Sequence, residues 1–141
     1  GATALTESWP ALQNVSNNHL MLGHVMEWFY SGLAGIDQES NSIGFQTLRI
    51  RPQPVGDITS ARGSFHSPYG WVKTSWKKED SLFTLSVTIP ANSQANVYLP
   101  ILRDSKVYER DKLITPQLME GSQVIKCGSG SYRFVVKKPV P

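Results

Sequence analysis

The residues with the means to do chemistry lie near the start of the chain. The segment GATALTESWP places the carboxylate of Glu7 two residues before the ring of Trp9, and SNNH ends on His19. A carboxylate or an imidazole at these places could hold or move a proton. By residue type alone Glu7 stays open between that role and a helix cap or solvated loop, the ordinary place of an acidic side chain. Glu27 and Glu39 are the rival carboxylates, but Glu27 falls inside a tight helical pattern and suits a helix surface. His19 falls in or beside the first turn of a helix, where unpaired N–H groups favour the neutral ring. It is open between bonding a ligand hydroxyl and serving the fold.

The other reactive side chains point to the fold rather than to a site. His19 and His24 are five apart, which misses the i, i+4 face used by helical metal pairs, and no acid or cysteine cluster joins them. No metal site is expected, and His24 and His66 are read as serving the fold. The single cysteine, Cys127, sits in the alternating stretch QVIKCG and reads as a small core residue. Trp28 lies at helical spacing with Val25 and Gly32 and reads as core. Trp71 and Trp76 are an odd number of residues apart in one strand, so they face opposite sides of a sheet: one core, one outward.

These residues need elements to position them, and the chain changes texture near residue 36. In NNHLMLGHVMEWFYSGLAG, Leu22, Val25, Met26, Phe29 and Leu33 recur at three- and four-residue spacing, and Met21, Trp28 and Ile36 widen the stripe. Ser16, Asn17 or Asn18 can cap the start of this helix, and Gly35 can end it in a left-handed conformation. From Phe45 onward the pattern alternates. SLFTLSVTIP sets Phe83, Leu85, Val87 and Ile89 on one face and Thr84, Ser86 and Thr88 on the other. ANVYLP, KVYER, QVIKC and SYRFVVKK read as strands too, and KKEDS as a hairpin turn. Several short antiparallel strands argue for a β-sandwich. The expected division is a helical segment at 1–36, a polar linker at 37–44 and a sandwich at 45–141.

With 141 residues the chain holds one domain, or one and part of another. An amphipathic helix cannot bury an all-round apolar surface without other helices beside it, so 1–36 reads as the end of a larger helical domain. A start on Gly1 agrees with a piece of a longer protein. The formal net charge is +3, with basic pairs at Lys77-Lys78 and Lys137-Lys138 only, so no phosphate-tracking stripe and no nucleic-acid partner are expected. The apolar stretch from Leu20 to Ile36 is broken by His24, Glu27 and Ser31, and no membrane span is expected.

Five segments in series, GATALTESW, SNNHLMLGHVMEWFY, GFQTLRIRPQP, GSFHSPYGWVKTSW and TIPANSQANVYLP, resemble the C-terminal end of bacterial α-L-rhamnosidases in order and spacing. The resemblance implies a mainly β fold: an antiparallel, jelly-roll-like β-sandwich preceded by a loop and helix that close an (α/α)6 catalytic barrel. It implies an inverting glycoside hydrolase acting on terminal α-L-rhamnosyl residues of glycosides or polysaccharides. Such enzymes use two carboxyl groups roughly 6.5–9.5 Å apart, one protonating the leaving oxygen and one activating water. Glu7 resembles the base, His19 the sugar-contacting histidine, and Trp9 a wall of the sugar pocket, since an indole face packs against pyranose C–H groups. The acid lies upstream, and no cofactor is implied. The partners implied are rhamnose-containing glycosides and the remainder of the barrel.

Two positions depart from the family pattern. Thr6 stands before Glu7 where many members carry Trp, and Pro10 follows Trp9 where Asp is common. They bear on the leaving-group side of the pocket more than on the base. Two rival readings accompany this one: a non-catalytic carbohydrate-binding sandwich working through Trp71 or Trp76, and a structural module that only packs against the barrel.

Overall fold

The computed structural model describes residues 23–100, 102, 104–119 and 121–138. They begin with a short helix, α1 (His24–Trp28), which runs directly into a π-helical turn, Phe29–Leu33. Eleven strands follow: β1 (Ile36–Gln38), β2 (Thr47–Ile50), β3 (Ser60–Ser67), β4 (Gly70–Lys78), β5 (Leu82–Ile89), β6 (Gln94–Leu99), β7 (Lys106–Glu109), β8 (Lys112–Ile114), β9 (Gln117–Met119), β10 (Ser122–Cys127) and β11 (Gly130–Lys137).

The strands form two sheets, one in the order β1-β2-β6-β10-β9 and one in the order β3-β4-β5-β11-β7-β8. Pairing is antiparallel throughout except between β2 and β6, which run parallel, Leu48 opposite Ala95 and Ile50 opposite Val97. The chain changes sheet between β5 and β6 at a turn where Ser93 N–H donates to the Pro90 carbonyl and Asn92 takes φ 59°. The expected hairpin at KKEDS is present, with Glu79 and Leu82 exchanging backbone hydrogen bonds between β4 and β5.

The period-two pattern explains the layering. Leu48, Ile50, Val97 and Leu99 from one sheet meet Val72, Leu85, Val87, Phe134 and Val136 from the other, and all are buried. Trp76, only 2% exposed, stacks on Phe83 with ring centres 6.0 Å apart, whereas Trp71 faces outward at 52%. Their odd separation therefore has the predicted consequence. Cys127 is buried in the core, as its place in an alternating strand requires.

The helix departs from the expected pattern. No residue of α1 is buried, and Trp28 is 40% exposed rather than core. Its ring lies over Gly32, where an added Cβ would meet the indole Nε1 at 2.8 Å. Ile36, counted on the helical stripe, is instead the first residue of β1 and is buried opposite Ile50. Within 37–44, read as a linker, Asp37 and Gln38 continue that strand. The rest is a pinned loop: Glu39 N–H donates to the Thr47 carbonyl at 3.0 Å, Thr47 N–H to Ser42 Oγ at 2.8 Å, and Phe45 N–H to Gln38 Oε1 at 3.1 Å. Phe45 takes φ 67°, with its ring 4.6 Å from that of Phe65.

What joins helix to sandwich is a set of four hydrogen bonds. The carbonyls at the end of a helix have no intrahelical donor. Here Gly32 O accepts from Gln53 N–H at 3.0 Å, Leu33 O from Trp76 Nε1–H at 2.7 Å, Ala34 O from Thr74 Oγ1–H at 2.7 Å, and Gly35 O from Arg51 N–H at 2.9 Å. Gly35 takes φ +70°, and a Cβ there would collide with the backbone of Arg51 and Pro52. Its left-handed conformation ends the helix, as its position predicted. Gly63 admits Ala34 closely, since a Cβ on Gly63 would stand 2.6 Å from the Ala34 methyl.

Two measurements follow from this core. Thr74→Val leaves the buried Ala34 carbonyl without its donor and is expected to cost about 1–3 kcal/mol in urea unfolding, with Thr74→Ser closer to the parent; equal stability of all three would remove the bond from the account. The second concerns Cys127, whose thiol burial pushes up to about 11, with the Glu109 carboxylate acting in the same direction. A folded value above the unfolded one means stability that is whole below about pH 8.5 and lost as pH rises toward 11. Cys127→Ala is expected to flatten that alkaline loss, and at pH 8 the folded thiol should react with a disulfide reagent on the order of a hundred-fold more slowly than the unfolded one.

Candidate functional site

The predicted site residues Glu7, Trp9 and His19 lie outside the described residues. The described part holds what adjoins them in sequence, namely the helix, its anchor and two polar surfaces of the sandwich.

The helix carries Val25, Met26, Trp28, Phe29 and Tyr30 exposed between 40% and 54%. Single exposed apolar side chains need no explanation, but five within six residues form a patch of the kind that meets another surface. The sequence signal for this patch is the stripe itself. Tyr30 reaches back to Phe65 edge-on, with ring centres 6.4 Å apart, so the patch is continuous with the edge of the sandwich.

Below the helix lies a small recess lined by Trp28, Ser31, Asp37, Arg49, Arg51 and Gln53. Asp37 stands opposite Arg49 in the β1–β2 register. The guanidinium groups of Arg49 and Arg51 lie over the Tyr98 ring at 5.3 and 5.6 Å, within the range of a cation–π attraction. Glu39, the rival carboxylate of the sequence reading, accepts from Asn96 Nδ2 at 2.8 Å and from the Tyr98 hydroxyl at 3.1 Å. Both donors converge on one of its oxygens, Oε1, which serves to fix the β1–β2 loop to β6. A carboxylate held in this way is an anchor rather than a base reaching for water. Glu27 is exposed on α1, in keeping with a helix-surface role.

The second polar surface is the outward face of the six-stranded sheet. A shallow groove of about 760 Å³ runs across it, bounded by Arg62, Lys73, Arg110 and Arg133 and floored by serine and threonine side chains. At one end of this face the outward Trp71 packs edge-on against His66, with ring centres 4.9 Å apart. His66, expected to serve the fold, is exposed on this face, and this ring contact is made outside the core. The groove was not foreseen, because its cations are far apart in sequence and only the strand register brings them together.

Among the described residues no group of three or more His, Cys, Asp or Glu is placed to hold a metal ion. No helix among them is long and apolar enough to cross a membrane.

Comparison with known proteins explains the combination of an anchored helix with an open face and a sandwich. Residues 35–113 match the family described as bacterial alpha-L-rhamnosidase C-terminal domain. The chain is 34% identical over 145 residues to an α-L-rhamnosidase of Streptomyces avermitilis and 27% identical over 139 residues to one of Formosa agariphila. It spans about 14% of the length of each of these curated relatives. Among solved structures it is similar to α-L-rhamnosidase from Dictyoglumus thermophilum, with 33% identity and a TM-score of 0.85 over 97% of this chain and 16% of that one. It is also similar to the S. avermitilis enzyme solved in complex with L-rhamnose, with 33% identity and a TM-score of 0.77 over 96% of this chain and 14% of that one. Since the matched region begins at Gly35, where the helix ends, and takes in β1 to β7, the chain belongs to the bacterial α-L-rhamnosidase C-terminal domain family.

Proposed function

We propose that the chain is the C-terminal part of an inverting α-L-rhamnosidase that removes terminal α-L-rhamnosyl residues. The observation that carries this reading is the extent of the likeness: 34% identity to an α-L-rhamnosidase over 96% of the chain, well beyond the matched domain at 35–113. The segment before β1 would then be the end of the catalytic (α/α) barrel, and the sandwich the domain that follows it. The remainder of the barrel would cover Val25, Met26, Trp28, Phe29 and Tyr30.

In this reading Glu7 is the general base. Its carboxylate takes a proton from a water that attacks the anomeric carbon from the face opposite the leaving group, while an acid elsewhere in the protein protonates the departing oxygen. His19 donates or accepts a hydrogen bond at a rhamnose hydroxyl, and Trp9 lays its ring against the C–H face of the sugar and its methyl group. The two carboxyl groups supply all the proton transfers the reaction needs. The sandwich fixes the direction of the helix through the four carbonyl bonds at its end.

Glu7→Gln in the full-length protein tests the assignment, since it keeps shape and removes the base. Turnover of an aryl α-L-rhamnoside is expected to fall by about 10²–10⁴-fold with the fold intact. The unaltered enzyme should release the sugar with inverted anomeric configuration, read by NMR in the first minutes of reaction. Unchanged turnover of Glu7→Gln would return Glu7 to the scaffold. The 141-residue chain alone is expected to show no turnover, because the acid and most of the pocket belong to other parts of the barrel.

A further inference from the structure

The groove on the outward face of the six-stranded sheet has a composition that the proposed reaction does not use. Strand register sets Arg62 opposite Ser75, Ser75 opposite Ser86, and Ser86 opposite Arg133. These four form a straight row across β3, β4, β5 and β11, with a guanidinium at each end and hydroxyls between. At about 4.8 Å per strand the two arginine backbones stand about 14 Å apart. The adjacent row runs Ser64, Lys73, Thr88, Ser131 in the same register. Arg110 joins the Arg133 end through its backbone N–H, which donates to the Arg133 carbonyl at 2.8 Å.

Charge is concentrated here. Four cations and no carboxylate line the groove. The whole chain carries a formal +3, so the rest of it nets 3 − 4 = −1. Among the described residues the one ion pair on this face, Lys77 with Glu79 at 2.6 Å, lies beyond the groove and leaves its four cations unpaired. Arg62, Lys73 and Arg133 are all exposed. Four like charges held on one face repel one another, and an anionic occupant relieves that repulsion.

The floor tells which anion. Between the cations lie serine and threonine hydroxyls, with Thr88 Oγ1 and Ser131 Oγ 3.4 Å apart, and no apolar side chain from the two rows. A protein partner anchors on buried aromatic or aliphatic side chains, and neither row offers one. Single-stranded nucleic acid binds on aromatic platforms spaced between cations, and the two rows hold none: Tyr132 lines the groove but packs against the core, and Trp71 lies beyond the rows at the end of the face. A saccharide chain bearing acid groups fits both parts, its hydroxyls meeting serine and threonine and its carboxylates meeting the planar guanidinium forks. Arg62, Gly63 and Ser64 also line the recess under Met26, Phe29 and Tyr30, so the groove leads to the helix.

We infer that this groove binds a carboxylate-bearing glycan, an oligouronate stretch of an acidic polysaccharide, lying across the strands from Arg62 to Arg133. The choice of a glycan as occupant rests on the glycoside hydrolase reading above. The groove holds the polymer and the barrel acts on its terminal sugars.

The test uses the full-length protein and a defined galacturonic acid oligomer, with binding followed by calorimetry at low salt. The controls are the methyl-esterified oligomer, polyglutamate and a single-stranded oligonucleotide of similar charge. Saturable binding of the oligouronate is expected, weakened about ten-fold or more in the double variant Arg62→Gln, Arg133→Gln and for the esterified oligomer. Both arginines are exposed, and an unchanged thermal melt verifies that the double variant folds. Absence of saturable binding, equal affinity of the variant, or polyglutamate or oligonucleotide binding as tightly as the oligouronate would each overturn the inference. Hydrolysis of a neutral aryl rhamnoside on the same preparations separates the two readings. Turnover equal in parent and double variant, with oligouronate binding lost in the variant, supports both; turnover without oligouronate binding removes only the groove; oligouronate binding without any turnover removes only the rhamnosidase.

Discussion

The structure depends on how the end of a helix is satisfied. Four successive carbonyls, from Gly32 to Gly35, would be left without donors where the chain passes from helix to strand. Each is met by a group from the sandwich: two backbone N–H groups just after β2, the indole of Trp76 and the hydroxyl of Thr74. Two of these donors are buried side chains on β4, whose other partners in the core are fixed by close packing. The helix direction is therefore not a local property. It is set by the same strand that stacks Trp76 on Phe83, and the polar bonds hold only because the apolar core holds. The converse also applies, since leaving an indole N–H or carbonyl unpaired at this depth would cost more than the bond's own net contribution.

That arrangement explains why a helix with an uncovered apolar face is tolerated. The described part of α1, five residues, would have almost no helical stability in isolation. Its last turn is instead a part of the sandwich, and the π-turn, in which Ala34 N–H donates to the Phe29 carbonyl at 2.9 Å, adjusts the winding so that Gly35 arrives beside Pro52. Only glycine fits there, on grounds of both φ and space. A joint this rigid presents the exposed residues from Val25 to Tyr30 in one orientation.

How much of this the sequence makes legible differs by kind of contact. Strands are readable where alternation is strict, as at Phe83, Leu85, Val87 and Ile89, because the pleat alone decides which side chains face inward. The opposite facing of Trp71 and Trp76 follows from the same rule. The parallel pairing of β2 with β6 is not readable, because alternation within a strand says nothing of its partner's direction. Ile36 misled for a related reason: its spacing fits a helical stripe, but the glycine before it ends the helix and the residue is spent on β1. Trp28 reads as core from its place on the stripe, yet it stands 40% exposed, because a stripe marks an apolar face and not the element that packs on it. The family resemblance is carried by motifs scattered between residues 1 and 100, whereas the residues it singles out, Glu7, Trp9 and His19, lie outside the described residues.

The two sandwich faces show the same distinction in their charges. On the five-stranded sheet, Arg49 and Arg51 spend their charge on Tyr98, and Glu39 is bonded by Asn96 and Tyr98, so cation, ring and carboxylate close on one another. On the six-stranded sheet, Arg62, Lys73, Arg110 and Arg133 close on nothing comparable. A net charge of +3 and the absence of a basic run conceal this, because a linear sequence averages what strand register separates. Outward positions of a sheet are free to vary without disturbing the core, so their composition is not dictated by folding. Hydroxyls bracketed by unpaired guanidinium groups contribute little to stability. A face that the fold leaves unconstrained, and that nonetheless gathers like charges against their own repulsion, is where a property other than stability is written.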